Sequence, residues 1–270
     1  MTRRLWHPGS SSGASQAPPA AGDRPGAAVP ELDEVGGGGA RSARRLFVQL
    51  LVFTGAADTA PLAASLAEAG HEAVLYADVN DPRGVGLLTC SEDPGFFPTT
   101  LRALLASPPW SSLTPRPAFT MFGRTYAIGY ERDLDDTLLH KPRRHAWQPA
   151  WPWAIWYPLR RAGAFAALPE AEQRAMLKEH GELGMGFAQD DAAHDVRLAC
   201  HGLDAADSDF VIGLMGPDLS PLSKLVQAMR KTKQTSLYLE RLGPFFVGHA
   251  VSMVGGVAAP GERAREQQIV

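Results

Sequence analysis

Residues 153–187, WAIWYPLRRAGAFAALPEAEQRAMLKEHGELGMGF, change hydrophobic period part-way along. Trp153–Leu159 is a short run of aromatic and apolar residues of strand length. Glu170–Phe187 instead carries Met176, His180, Leu183 and Phe187 at spacings of 4, 3 and 4, one stripe of a helix. Beyond it, Asp195–Cys200 and Asp209–Leu214 read as two strands joined by the HGLDAADS turn. Leu219–Thr232 reads as a helix with the stripe Leu222, Leu225, Val226 and Met229, and Phe245–Met253 as a closing strand. The order is β-α-β-β-α-β, a split βαβ or ferredoxin-like unit.

The same order precedes it. Leu46–Thr54 predicts a strand, Thr59–Ala69 a helix stopped by Gly70, and Glu72–Val79 and Gly84–Cys90 two strands. Gly95–Ala106 predicts a second helix and Ala118–Tyr130 a closing strand. The fold class expected is therefore α+β, two tandem ferredoxin-like halves over 45–132 and 153–255, joined by a linker at 133–152. Residues 1–44 are rich in Gly, Pro, Ala and Ser, and Gly36–Gly39 reads as a flexible linker, so this segment is expected to be disordered, as is 256–270.

Composition narrows the function classes. The 270 residues are 45% hydrophobic with a net charge of -3, which carries no general electrostatic footprint for nucleic acid. The basic and aromatic stretch His140–Trp153 is accounted for as a linker, and no nucleic-acid partner is expected. No run of about 18 apolar residues is present, so no membrane span is expected. MTRRLWHPG is basic but lacks the apolar core of a signal peptide, and Cys90 and Cys200 match no zinc or redox spacing. A cytoplasmic protein is the expectation.

His180 is the exception on its stripe. A histidine there must satisfy both ring nitrogens away from water or use one on a metal. Gly181, Gly184 and Gly186 follow it, each costing about 1 kcal/mol of helix propensity, which suggests close approach of something flat or bulky. The other histidines show no spacing for a second metal site.

Taken in order, WYP at 156–158, EHGELG at 179–184, GLD at 202–204, DF at 209–210, LVQAMR at 225–230 and GPFFVG at 243–248 resemble the chlorite dismutase superfamily, which includes the coproheme decarboxylases. The resemblance implies two ferredoxin-like halves forming a dimeric α+β barrel, a homopentamer, and a haem b or coproheme cofactor in the C-terminal half. His180 would be the proximal iron ligand. Tyr157 matches a redox-active tyrosine that relays oxidation to a propionate, releasing carbon dioxide and leaving a vinyl group. Arg161 stands where a lysine commonly assists, and as a permanent cation it suits propionate binding better than proton transfer. Arg230 and Thr235 match an Arg and a Ser that clasp a propionate. Arg197 matches the distal Arg of the dismutases, although a longer interval after His180 leaves Asp195 as the alternative. Gln234 falls where the dismutases offer a glutamate to the proximal histidine. The segment between Tyr157 and His180 is shorter than in the decarboxylases and lacks their Asn-Trp-Tyr.

These residues imply a haem-dependent oxidoreductase. The leading expectation is peroxide-dependent oxidative decarboxylation of coproheme to haem b, with coproheme and hydrogen peroxide as small-molecule partners. The alternatives are chlorite dismutase or a haem peroxidase on another small substrate, and a non-catalytic haem-binding protein.

Overall fold

The computed structural model describes residues 32–256, so of the tails expected at 1–44 and 256–270 the parts 1–31 and 257–270 lie outside the described residues. Order begins before the expected Arg44. β1 (Glu34–Val35) and β2 (Arg41–Ser42) pair as a hairpin, and Gly36–Gly39 form its turn, with Gly38 and Gly39 at φ of 67° and 79°. The glycine run is therefore no linker. A Cβ on Gly36 would lie 2.8 Å from the Glu131 carbonyl oxygen, an approach that only glycine allows.

In the first half, β3 (Phe47–Thr54), α1 (Ala60–Ala69), β4 (Ala73–Asp78) and β5 (Val85–Ser91) follow the predicted order. The helix expected over 95–106 is broken into a 3-10 turn at Pro94–Phe96, a π turn at Phe97–Leu101 and α2 (Arg102–Leu105). Its apolar side is still buried, through Phe97 and Leu101. The closing strand is far shorter than Ala118–Tyr130. Of this segment only β6 (Thr114–Pro115) and β7 (Met121–Arg124) pair with β3, and a 3-10 turn at Pro117–Phe119, opened by a proline without an N–H, separates them.

The expected linker 133–152 is also corrected. It holds a π turn at Asp136–His140 and α3 (Lys141–Ala146), and Leu134, Leu138, Leu139, Ala146 and Trp147 are buried in the main core. These residues recur at helical spacing, and the Pro, Arg and Trp around them masked the period.

The second half contains β8 (Trp153–Arg161), α4 (Gly163–Ala166), α5 (Glu170–Gln189), β9 (His194–Ala199), β10 (Phe210–Gly216), α6 (Leu219–Met229), α7 (Lys233–Tyr238), β11 (Leu239–Leu242) and β12 (Phe246–Val254). In each half the closing strand lies beside the first, then the third, then the second: β7-β3-β5-β4 and β12-β8-β10-β9. The halves join where β12 pairs antiparallel with β4 and where Arg124 of β7 sits opposite Ala199 of β9. Every strand of this ring is paired on both sides, so the sheet closes into a barrel.

Strand alternation then sorts the side chains. Val48, Leu50, Val74, Tyr76, Leu88, Trp156, Val196, Leu198, Val211 and Met215 fill the interior. Trp156 lies against Gly213, where a Cβ would come within 2.5 Å of its ring. On the outside, α1 and the Phe97–Leu105 segment cover the first half. Residues Ile155, Tyr157 and Leu214 point outward from the second half, beneath Leu222 and Leu225 of α6.

Candidate active site

The outer face of the second half carries two cross-strand rows. Arg197 of β9 pairs with Ile212 of β10, which pairs with Tyr157 of β8. One step along, Asp195 pairs with Leu214 and Leu214 with Ile155. Two strand spacings, roughly 10 Å, separate the Cα atoms of Arg197 and Tyr157. Asp195 and Arg197, alternatives in sequence, therefore share one face, and Arg197 Nε lies 3.1 Å from Asp195 Oδ2.

Beyond this face runs α5. None of its residues is fully buried, and the stripe Met176, His180, Leu183 and Phe187 is half-buried throughout. The helix packs chiefly on α6 and α7 rather than on the sheet. Outside its own helix backbone and chain neighbours, nothing lies within 4 Å of a Cβ placed on Gly181 or Gly186, and one on Gly184 would touch only the end of Met229. A groove of about 540 Å³ between α5 and α6 is lined by Glu179, Leu183, Lys224, Lys231 and Thr232, among others.

His180 is held from behind. Its Nδ1 lies 3.2 Å from Thr232 Oγ1, and that hydroxyl also donates to the Met229 carbonyl at 2.8 Å. A hydroxyl has a single proton. With that proton on Met229, Thr232 accepts from His180 Nδ1–H, and the lone pair of the imidazole resides on Nε2. Burial, then the Arg161 and Arg197 charges, push the imidazole below the ordinary histidine range, which favours this neutral form. Thr235 extends the chain, its hydroxyl 3.2 Å from that of Thr232.

The sequence placed Gln234 at this histidine; the structure does not. Gln234 is buried and turned to Arg161, accepting from its Nε and Nη2 at 3.2 and 3.3 Å in the amide orientation that directs oxygen to the guanidinium. Arg161 is further sandwiched by the rings of Phe165 and Phe210, at 4.9 and 4.7 Å, and burial lowers its pKa. Thr232 takes the histidine because the chain leaves α6 after Met229 and turns into α7, bringing Thr232 under α5.

Tyr157 is buried and stacks on Phe245 at 4.8 Å, and the Arg230 guanidinium lies 5.7 Å from the centre of the same Phe245 ring. Burial and the Asp195 charge hold the phenol well above the usual tyrosine range, opposed by Arg230. The structure thus brings Tyr157 into range of Arg230 and Asp195, and His180 into range of Arg161 and Arg197. Thr235 adjoins the histidine side through the Thr232 hydroxyl.

One residue escaped sequence reasoning. Tyr126, just beyond β7 in the first half, stacks obliquely on Phe210 at 5.5 Å and feels both Arg197 and Arg161, which oppose the upward push of burial on its phenol. With Glu131, Asp195 and Arg197 it lines a hollow of about 40 Å³. Nothing in its local sequence signals this position, which depends on the pairing of β7 with β9.

The chain was compared with known proteins. The family model described as chlorite dismutase matches residues 114–251. A novel haem-binding protein from Thermus thermophilus has a similar structure, with a TM-score of 0.58 and 21% identity, the match covering 77% of this chain and 91% of that one. A variant of chlorite dismutase from Candidatus Nitrospira defluvii in complex with cyanide matches with a TM-score of 0.58 and 17% identity, over 77% and 92% of the two chains. At these identities the two structures speak for the fold. No curated protein matches the chain. Among the described residues no helix is long and apolar enough to cross a membrane. Because the family pattern runs from β6 into β12, over just more than half of the sequence, the chain belongs to the chlorite dismutase family.

Proposed function

We propose that the protein is a haem-dependent oxidoreductase that uses hydrogen peroxide to convert coproheme to haem b by oxidative decarboxylation. The observation that carries this is the proton arrangement at His180. Its Nδ1 proton is used on Thr232, and Nε2 keeps a lone pair on a neutral imidazole. One such imidazole is enough protein ligation for an iron whose equatorial nitrogens come with a porphyrin. The likeness to a haem-binding protein supports the same cofactor.

The remaining residues fit a porphyrin bearing carboxylates. Ile212 on the sheet and Leu183 and Phe187 on α5 are half-buried apolar side chains, and Arg161 and Arg230 offer guanidinium forks matched to carboxylate geometry. When bound, the group supplies the oxidising centre that peroxide chemistry requires. His180 would hold the iron, and the neutral Thr232 oxygen behind it would give the imidazole less anionic character than a carboxylate does. Tyr157 is kept protonated in the resting protein by burial and by Asp195, so its phenol has both a proton and an electron to give. Arg230, across Phe245 from Tyr157, binds the propionate that is to react. Arg161, clamped by Gln234 and two rings, holds a second carboxylate and moves no proton. Thr235 serves the His180–Thr232 chain.

A second reading, chlorite dismutase, is favoured by Arg197, a permanent cation on the same outer face that suits an oxyanion. Loading the protein with ferric coproheme, adding peroxide and following the mass of the product separates the two. Loss of two carboxyl groups is the expected result. Unchanged mass together with oxygen evolution from chlorite would establish the second reading instead. His180→Ala should abolish the Soret band of the loaded protein, and its persistence would refute the ligand assignment.

A further inference from the structure

Asp195 is the acidic group in direct contact with Arg197. Strand alternation places both on the outer face of β9, and the carboxylate Oδ2 meets Arg197 Nε at 3.1 Å. The side chains remain 46% and 39% accessible, so the pair is screened by water and adds at most about 1 kcal/mol to stability. Its consequence is electrostatic: the contact is an ion pair, and the guanidinium's N–H donors are left to meet a ligand. The carboxylate also offsets the positive charge that an approaching anion would meet, and its field reaches both Tyr157 and His180.

We propose that Asp195 sets the charge of this site: paired with Arg197, it tempers the positive charge there, biasing the site toward a neutral oxidant such as hydrogen peroxide over a permanent anion such as chlorite. This rests on haem being bound at His180. Arg197 alone would make the site an anion trap, whereas the Asp195–Arg197 pair keeps the donors of Arg197 but little of its net charge.

The test uses the full chain loaded with ferric haem b at fixed pH and ionic strength, titrated optically with fluoride and, as the neutral control, with imidazole. Asp195→Asn keeps the size and polarity of the side chain and removes the charge. It should tighten fluoride about tenfold and leave imidazole unchanged. Asp195→Glu should restore the wild-type value, and in an Arg197→Gln background the effect of Asp195→Asn should vanish. Unchanged or weaker fluoride binding in Asp195→Asn, or an equal gain without Arg197, would overturn the proposal while the Soret band stands. A wild-type protein that takes up no haem would overturn the cofactor reading and this inference together.

Discussion

Thr232 has one proton and three neighbours that could use it, and this shortage decides the chemistry of His180. The shorter contact, to the Met229 carbonyl, takes the proton and makes the hydroxyl oxygen an acceptor. Removing that acceptor should loosen the imidazole and free its tautomer. Thr232→Val is therefore expected to weaken haem retention roughly 10- to 100-fold, measured by transfer of haem to an apo-globin acceptor, with Thr232→Ser restoring it. Equal retention in both variants would show that Thr232 does not orient the ligand. His180 was legible because a helix repeats every 3.6 residues, whereas Tyr157 and Arg197, with Asp195 as the alternative, were singled out by the family resemblance. Thr232 and Tyr126 were not, since each reaches the site through a turn or a strand pairing that no local period encodes.

The strands of the second half are tuned to one another by size. Trp156 fills the barrel only because Gly213, in register opposite it on β10, has no side chain. Gly213→Ala would place a methyl 2.5 Å from the indole and force it off its seat. The expected cost is about 1–3 kcal/mol, read as a lower urea midpoint with an unchanged slope. The double change with Trp156→Phe should recover part of that loss, because the two residues are in contact. The same reliance on neighbours explains why α5 could carry three glycines and still be read as a helix: its flanks are held by α6 and α7, so tertiary packing offsets the propensity it lacks.

Across the whole molecule, α3 and its approach close the barrel core, and β9 is tied to them. His145 of α3 donates Nδ1–H to the Asp195 carbonyl at 2.8 Å, and Trp151 stacks on His194 at 3.6 Å. Burial, with Lys141 and His194, lowers the pKa of His145 below the ordinary 6.5, against the pull of Asp195. The folded state then takes up a proton less readily than the unfolded chain. The stability linked to His145 is full above pH 6.5 and lost as pH falls toward the lowered value. Thermal unfolding should shift to lower temperature on acidification below pH 6.5, and less steeply in His145→Gln. An identical slope in that variant would assign the acid sensitivity to other groups.

Alternation, helical period and turn residues are properties of neighbouring positions, so the amino-acid order was enough to reveal two β-α-β-β-α-β halves and an awkward histidine at 180, while the row that joins Tyr157 to Arg197 came only with the strand register. Closing the ring, seating the 133–152 segment in the core, folding Gly36–Gly39 against Glu131 and handing His180 to Thr232 all depend on contacts between distant parts of the chain. Those contacts are selected by packing and by the need to satisfy buried donors, and they exist only once the halves have joined.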